Sequence, residues 1–454
     1  MKLSNLWKWN TTIDRGEYAL WGTILFAVKY NIDRIVALLF FDVAWYIWYY
    51  IFPPKNHPFP QKLYVTLAIM AIPFVFLGTK LTADRLRSLR LPLWLVMLFF
   101  VPFVNLLLFL MLSILPARSA VEVKWQTGGF WKRIIPENQF GAAALAVAIN
   151  TVSVLIFAAV SVKALSQYGW GLFVGLPFCL GLTSVLIYSY HERRSYGNCI
   201  AVASIALTIA CIALLATAFE GLVCLLMAAP LAGAFALLGG SVGYLLQVHP
   251  EHRSDVPKLV GMLFVSLPIF IFAEHTAPKQ PEVFEVKSSV IVNAPPERVW
   301  PNVIRFAELA PPKEWLFRLG IAYPVRARIQ GSGVGALRHC EFTTGAFDEP
   351  IQVWDEPNRL KFSVSSNPAP MQEWTPYKAI HPPHLHGFLV SNGGQFLLTR
   401  LPDGRTLLEG TTWYQHHMWP ESYWQLWSDY VIHKIHLRVL NHVKLITETR
   451  NTNI

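Results

Sequence analysis

Charge is scarce in this chain. Asp, Glu, Lys and Arg make up 15% of its 454 residues, against about 25% in soluble proteins. Hydrophobic residues reach 54%, so the shortage argues against an ordinary water-soluble globule and for a membrane protein. Cysteine is also sparse. There are five, and no two stand in a Cys-x-x-Cys pair, so neither a disulfide framework nor a zinc ribbon is indicated. Cys179, Cys199, Cys211 and Cys224 sit in or beside apolar runs, and Cys340 is alone in the polar part. Catalytic signatures are missing as well: there is no Gly-x-Ser-x-Gly elbow and no His-Glu-x-x-His. Without a long basic run, the net charge of +10 does not point to nucleic acid. The opening "MKLSNLWKWNTTIDRGEY" lacks an apolar run and a small-residue cleavage site, so no cleaved signal peptide is expected.

Long apolar runs fill the first 270 or so residues. A helix crosses a bilayer core of about 30 Å with about 20 apolar residues. Candidate spans are 35–52, 63–78, 91–115, 140–162, 169–188, 198–218, 221–247 and 259–273, with 18–30 along the interface. The basic excess belongs here: residues 1–283 hold 21 Lys/Arg against 13 Asp/Glu. If all eight spans cross with the N-terminus inside, the loop Lys/Arg tie at ten a side, which fits the positive-inside rule poorly. If 91–115 bends at Pro102 and Asn105 and returns to its own side, 17 fall inside and three outside. Re-entrant backbone needs protein cover in lipid. The re-entrant reading puts the C-terminal part on the outer face. Asp42, in the middle of the first span, costs roughly 2.5–3.5 kcal/mol to insert and should face protein, with Asn105 or Asn150 as a partner. Glu220, between two spans, is expected at the interface. Ala236, Gly239, Gly240 and Gly243 permit close helix packing.

After "HTAPKQPEV" (275–283) the runs shorten and alternate, which marks a domain boundary. "FEVKSSVIVNA" reads as a strand, "PPERVWPNVIRFAELAPP" as two small helical pieces, and "IAYPVRARIQGSGVGALRHCEFTTG" as two strands around a Gly-rich turn. "GSGVG" lacks the Lys-Ser/Thr of a phosphate loop and reads as a β-turn. "IQVWDEPNRLKFSVSS" is a hairpin turning at Glu356-Pro357-Asn358, and "GQFLLTRLPDGRTLLEGTTWYQ" one turning at Pro402-Asp403-Gly404. The last element, from Pro420 to about Glu448, is a long helix with proline and acid at its start.

This order resembles the SRPBCC, or START-like (polyketide cyclase-like), helix-grip superfamily. The residues that carry the likeness are "SSVIVNAPPERVWPNV", "GSGVGALRHCEFTTG" and the Asp-Gly hairpin feeding the terminal helix. The resemblance implies a curved sheet wrapped on the long helix, with a cavity between them for lipids, sterols, polyketides or other apolar molecules. Residues 365–394, rich in Pro and His, exceed a plain hairpin loop and suggest a lid. At the front, "DRGEYALW", "ADRLRSLRLPLW" and "VPFVNLL", within 14–116, partly resemble a family of small bacterial inner-membrane proteins of unknown function.

The densest stretch is "WYQHHMWPESYWQLW". Trp413 and Tyr414 point to opposite faces of a strand. Trp424, Trp427, Val431 and Ile435 form one helix stripe, with Tyr423, Leu426, Tyr430 and Leu437 beside it. Core packing explains such a stripe, and so does the wall of a pocket. The candidate ligand-binding residues are Trp315, Trp354, Trp374, Trp413, Tyr414, His416, Tyr423, Trp424, Trp427 and Val431. Nine of fourteen histidines lie after residue 330, among them His381, His384 and His386, the pair His416–His417, and His433 with His436. None has metalloprotease spacing, and no metal or other cofactor is expected. Glu341, Glu409, Asp355 and His416 offer acid–base groups if they face inwards.

The expected architecture is a polytopic α-helical membrane protein followed by an α+β helix-grip domain. Its parts are a membrane domain at 1–116, a basic connecting loop at 117–139, a second helical bundle at 140–274 and the START-like domain at 284–450. The expected setting is a bacterial inner membrane. The expected partners are membrane lipids and an apolar small molecule (lipid, isoprenoid or quinone-like), with no nucleic acid. The rival readings are a membrane-anchored enzyme acting on an apolar substrate, and a regulatory protein whose soluble domain recognises another protein.

Overall fold

The computed structural model describes residues 11–50, 59–89, 93–100, 105, 108–109, 112–113, 133–248, 256–276, 281–377, 380 and 382–449. The chain divides into two compact units. One is Met1–Gly129 with Ser189–Tyr196 and Val242–Ser254; the other is Phe130–Tyr188 with Gly197–Ser241 and Asp255–Ile454.

In the first unit, helix α1 (Arg15–Phe41) starts at Asp14, whose side chain accepts the Gly16 N–H. It stops at Asp42, which takes a left-handed conformation (φ 53°) while the Val43 N–H bonds to Ala37 O. This corrects the reading of 35–52 as a span. Asp42 is an exposed helix terminator rather than a mid-membrane charge. The buried acid of this helix is Asp33, held by Lys29 and by the Tyr50 hydroxyl at 2.6 Å. Helix α2 (Gln61–Ser88) ends in a polar core. Arg85, fully buried, donates to Leu112 O and Ile13 O, and Asp84 accepts from Thr11 and Arg87. The Asp84-Arg85-Leu86-Arg87 motif thus satisfies backbone carbonyls and side chains of its own unit. Residues Leu93–Phe100 form a 3-10 helix. Most of 101–115, on which the re-entrant reading turns, lies outside the described residues.

The second unit holds helices α3 (Gln139–Ala158), α4 (Leu176–Tyr188), α5 (Tyr196–Ala216), α6 (Leu222–Val248) and α7 (Val256–Thr276), α5 and α6 each continuing into the first unit. Among the described residues, five helices are long and apolar enough to cross a membrane: Gln61–Ser88, Gln139–Ala164, Gly171–Tyr188, Tyr196–Ala216 and Leu222–Gln247. Asn150 bonds inside this bundle to Ser184 and Thr183. Helices α4 and α6 touch backbone to backbone. A Cβ on Gly181 would stand 1.9 Å from Ala236 O, and one on Gly239 2.0 Å from Phe178 O.

Residues 284–449 form a seven-stranded antiparallel sheet ordered β1-β7-β6-β5-β4-β3-β2. Its strands are β1 (Phe284–Val292), β2 (Pro324–Gln330), β3 (Leu337–Phe342), β4 (Gly345–Asp355), β5 (Arg359–Ser363), β6 (Leu389–Arg400) and β7 (Thr406–His416). Two short helices, α8 (Pro296–Ile304) and α9 (Trp315–Arg318), follow β1. The long helix α10 (Glu421–Thr449) packs on β1 and β7. This is the arrangement a helix grip requires. Gly404, at φ 83°, makes the Asp403-Gly404 turn that joins β6 to β7. Register shifts at Ser391/Gly393 and Ile351/Val353 bend the sheet around the helix.

Candidate functional site

Between sheet and helix lies a cavity of about 150 Å³. An apolar cavity of roughly this size admits a benzene-sized guest. Alternation along β7 sends Leu408, Gly410, Thr412, Tyr414 and His416 to the helix side, leaving Glu409 and Trp413 outside. Gly410 matters here because it stands opposite Leu440 without a side chain of its own. Phe342, Phe347, Phe362 and Phe396 form the aromatic wall, and Val431, Ile432, Ile435 and Val439 of α10 the opposite one. Asn367–Pro370, in the connection from β5 to β6, line the rim.

Polar groups enter this wall in pairs. Arg338 and Glu349 are both buried and ion-paired. The Arg338 guanidinium donates to Ile304 O and lies 5.5–5.6 Å from the rings of Phe306, Phe362 and Phe396. Burial raises the Glu349 carboxyl, with Arg338 opposing. Burial also pushes the Cys340 thiol up to about 12, so it stays protonated. On the helix side, His436 Nε2 lies 2.7 Å from the Thr412 hydroxyl, and Ser288 Oγ bridges His433 and His436. Burial, helped by His433, pushes His436 down to about 4 and keeps it neutral. The Tyr414 hydroxyl donates to Asp429 at 2.5 Å. Burial raises this phenol, and the neighbouring carboxylate adds to the shift.

Of the ten candidate ligand-binding residues, Tyr414 and Val431 line the cavity. His416 is fully buried beyond it, stacked on Phe284. Trp413 is on the outer face, bonded to Glu285 under Lys361. Trp354 packs edge-on against Trp300, and Trp315 and Trp374 are exposed. Tyr423, Trp424 and Trp427 turn away from the sheet: Trp424 meets Phe173 at 4.8 Å, Trp427 joins the same cluster, and the Tyr423 hydroxyl donates to Met227 O of α6. The lower half of the aromatic stripe thus packs on the helical bundle, and only its upper half faces the cavity. Arg338 and Glu349 carried no sequence signal beyond their alternation, whereas His436 stood out by its spacing from His433.

A second polar cluster joins the bundle to the 364–388 connection. Glu220, expected at the interface between two spans, is buried. Its Oε1 accepts the Tyr168 hydroxyl at 2.7 Å. His384 Nδ1 lies 3.3 Å from the same hydroxyl, and its Nε2 3.3 Å from Glu373 Oε1. Glu373 also accepts the Val223 and Cys224 N–H groups at the start of α6. A Cβ on Gly221 would fall 2.1 Å from Glu373, so only glycine admits this cap. Burial disfavours a charged His384, but Glu220 and Glu373 outweigh it and push the imidazole up to about 9. His381 lies outside the described residues.

No family model matches the chain, and no curated protein matches it. Solved structures do match, over the C-terminal part. A protein from Nitrosospira multiformis is 18% identical, with 37% of this chain and 99% of that one covered and a TM-score of 0.23. The Zhui aromatase/cyclase from Streptomyces sp. R1128 is 16% identical, covering 37% and 96%, with a TM-score of 0.25. A norcoclaurine synthase point mutant from Thalictrum, in complex with a transition-state analogue, is 10% identical, covering 38% and 99%, with a TM-score of 0.27. None of these comparisons supports the likeness of residues 14–116 to the small inner-membrane family.

Proposed function

We propose that this chain is a membrane protein whose C-terminal domain binds an apolar small molecule, such as a lipid, isoprenoid or quinone-like compound, between sheet and helix. The cavity carries the reading: four phenylalanines face four aliphatic residues of α10, and its rim belongs to a long connection rather than to the sheet. Arg338 pairs with Glu349, Thr412 with His436 and Tyr414 with Asp429, so an apolar guest strands none of these groups. The guest is either small or inserts one end of a longer chain. Organic extraction of the intact protein, purified in mild detergent, followed by mass spectrometry is the test. One apolar species should co-purify and be lost in Ile435→Trp, which fills the cavity. Equal recovery from both proteins counts against binding there.

Membrane insertion is supported by the five long apolar helices and by their outward faces. Val152, Ile156, Ile205 and Ile212 are each more than half exposed, and such surface needs cover. The proposed setting is a bacterial inner membrane with the grip domain on its outer face; the loop Lys/Arg tally favours that side when 91–115 re-enters and 35–52 crosses, whereas helix α1 ends at Phe41, so the side rests on the labelling test. Cys340 is buried in the cavity wall and cannot report on sidedness. A cysteine introduced at Asp403→Cys, on the exposed hairpin tip, should react with an impermeant maleimide in intact cells. Reaction only after lysis reverses the orientation.

A second reading is favoured by one observation: Glu349 and His436, both ionisable, line the same cavity. Such a pair could move protons on a bound apolar substrate, which would make the domain an enzyme. Turnover lost in Glu349→Gln and His436→Gln with ligand retained would select that reading.

A further inference from the structure

Glu220 and Cys224, four residues apart at the start of α6, and His384 of the 364–388 connection are buried, and present a carboxylate oxygen, a sulfur and a ring nitrogen that lie within 4.8 Å of one another. We propose that they form a site for one divalent transition-metal ion of the zinc class. The site lies outside the apolar cavity and does not depend on its being occupied.

Three observations converge on a cation. The donor set of oxygen, sulfur and nitrogen suits zinc and its neighbours rather than calcium or magnesium, which take oxygen alone. Glu220 Oε2 is buried without a hydrogen-bond partner. It stands 3.2 Å from His384 Nδ1, near enough for an ion pair but not aligned for a hydrogen bond. The Tyr168 hydroxyl occupies Oε1 and so leaves Oε2 for another ligand. Finally, His384 is oriented as metal-bound histidines are. Its Nε2 faces Glu373 Oε1, and Glu373 is itself fixed by two backbone N–H groups of α6. An outer carboxylate of this kind sets the tautomer and directs the other nitrogen, Nδ1, towards Glu220 Oε2 and the Tyr168 hydroxyl, where an ion would be held.

The structural consequence of an ion here follows from chain position. Glu373 and His384 belong to the 364–388 connection, whose Asn367–Pro370 line the cavity rim. The ion therefore pins that connection to the start of α6.

The test uses the tag-free, full-length protein in detergent, stripped with a chelator, then loaded with Zn²⁺ or Co²⁺ and desalted. About one ion per chain should remain by elemental mass spectrometry, and the Co²⁺ form should show thiolate-to-metal charge-transfer absorption. That band should vanish in Cys224→Ser, and retention should fall in His384→Asn. Glu373→Gln, a positioning change, should weaken affinity by about 10–100-fold while keeping the band. Wild-type protein that retains no ion and shows no charge-transfer band overturns the site, whatever the variants do. Full retention in both Cys224→Ser and His384→Asn also overturns it.

Discussion

His436 shows how one side chain reads its surroundings. It is pressed between β1, β7 and its own helix, bonded to Thr412 and Ser288, with His433 one turn away. Its folded value of about 4 lies below the ordinary 6.5. In the pH range between those two values the unfolded chain binds a proton that the native state does not. The stabilisation is therefore complete above about pH 6.5 and is lost as pH falls towards 4. The thermal midpoint of the wild type should fall more steeply over this interval than that of His436→Gln. Parallel curves would show that His436 is not the titrating group. Residues of this kind were only half legible in the sequence. Alternation set Tyr414 opposite Trp413, but it did not say which faces the helix, because both faces of β7 carry aromatics. The cluster of Glu220, Cys224 and His384 was invisible, since no periodicity links residues about 160 positions apart.

Among the elements, helices α4 and α6 make the sharpest statement. Gly181 and Gly239 let two apolar helices meet at their backbones, the kind of close packing that would hold such helices together in the proposed membrane setting. Gly239→Leu must displace the Phe178 carbonyl, and overpacking of this kind typically costs about 1–3 kcal/mol. A clearly lowered melting temperature in detergent is expected, and an unchanged one would mean that the two helices do not pack this way. The glycines at 239 and 240 were readable as small-residue packing, whereas their partner Gly181 was not singled out. The hairpin turns at Glu356-Pro357-Asn358 and at Pro402-Asp403-Gly404, and the long terminal helix, were readable because their signals are local. The span at 35–52 was misplaced for the opposite reason. Its hydropathy is continuous, but Asp42 ends the helix through a left-handed conformation that composition does not report.

At the level of the whole molecule, the second unit brings apolar helices and grip domain together through aromatic and polar contacts. Trp424 meets Phe173, the Trp419 N–H donates to Tyr168 O, and Glu373 caps α6. The aromatic stripe of α10 is thus shared, its first turns against the bundle and its later ones against the cavity. Sequence pattern shows that such a stripe needs cover, but it does not say which surface provides it, because a bundle and a sheet ask for the same residues. The account rests on the hollow that remains after this sharing. A crystal structure of the full chain grown from a lipid phase measures it directly. Continuous non-protein density between Phe362, Phe396 and Ile435 is the predicted result. Side chains closed over that space, with no density among them, would contradict it.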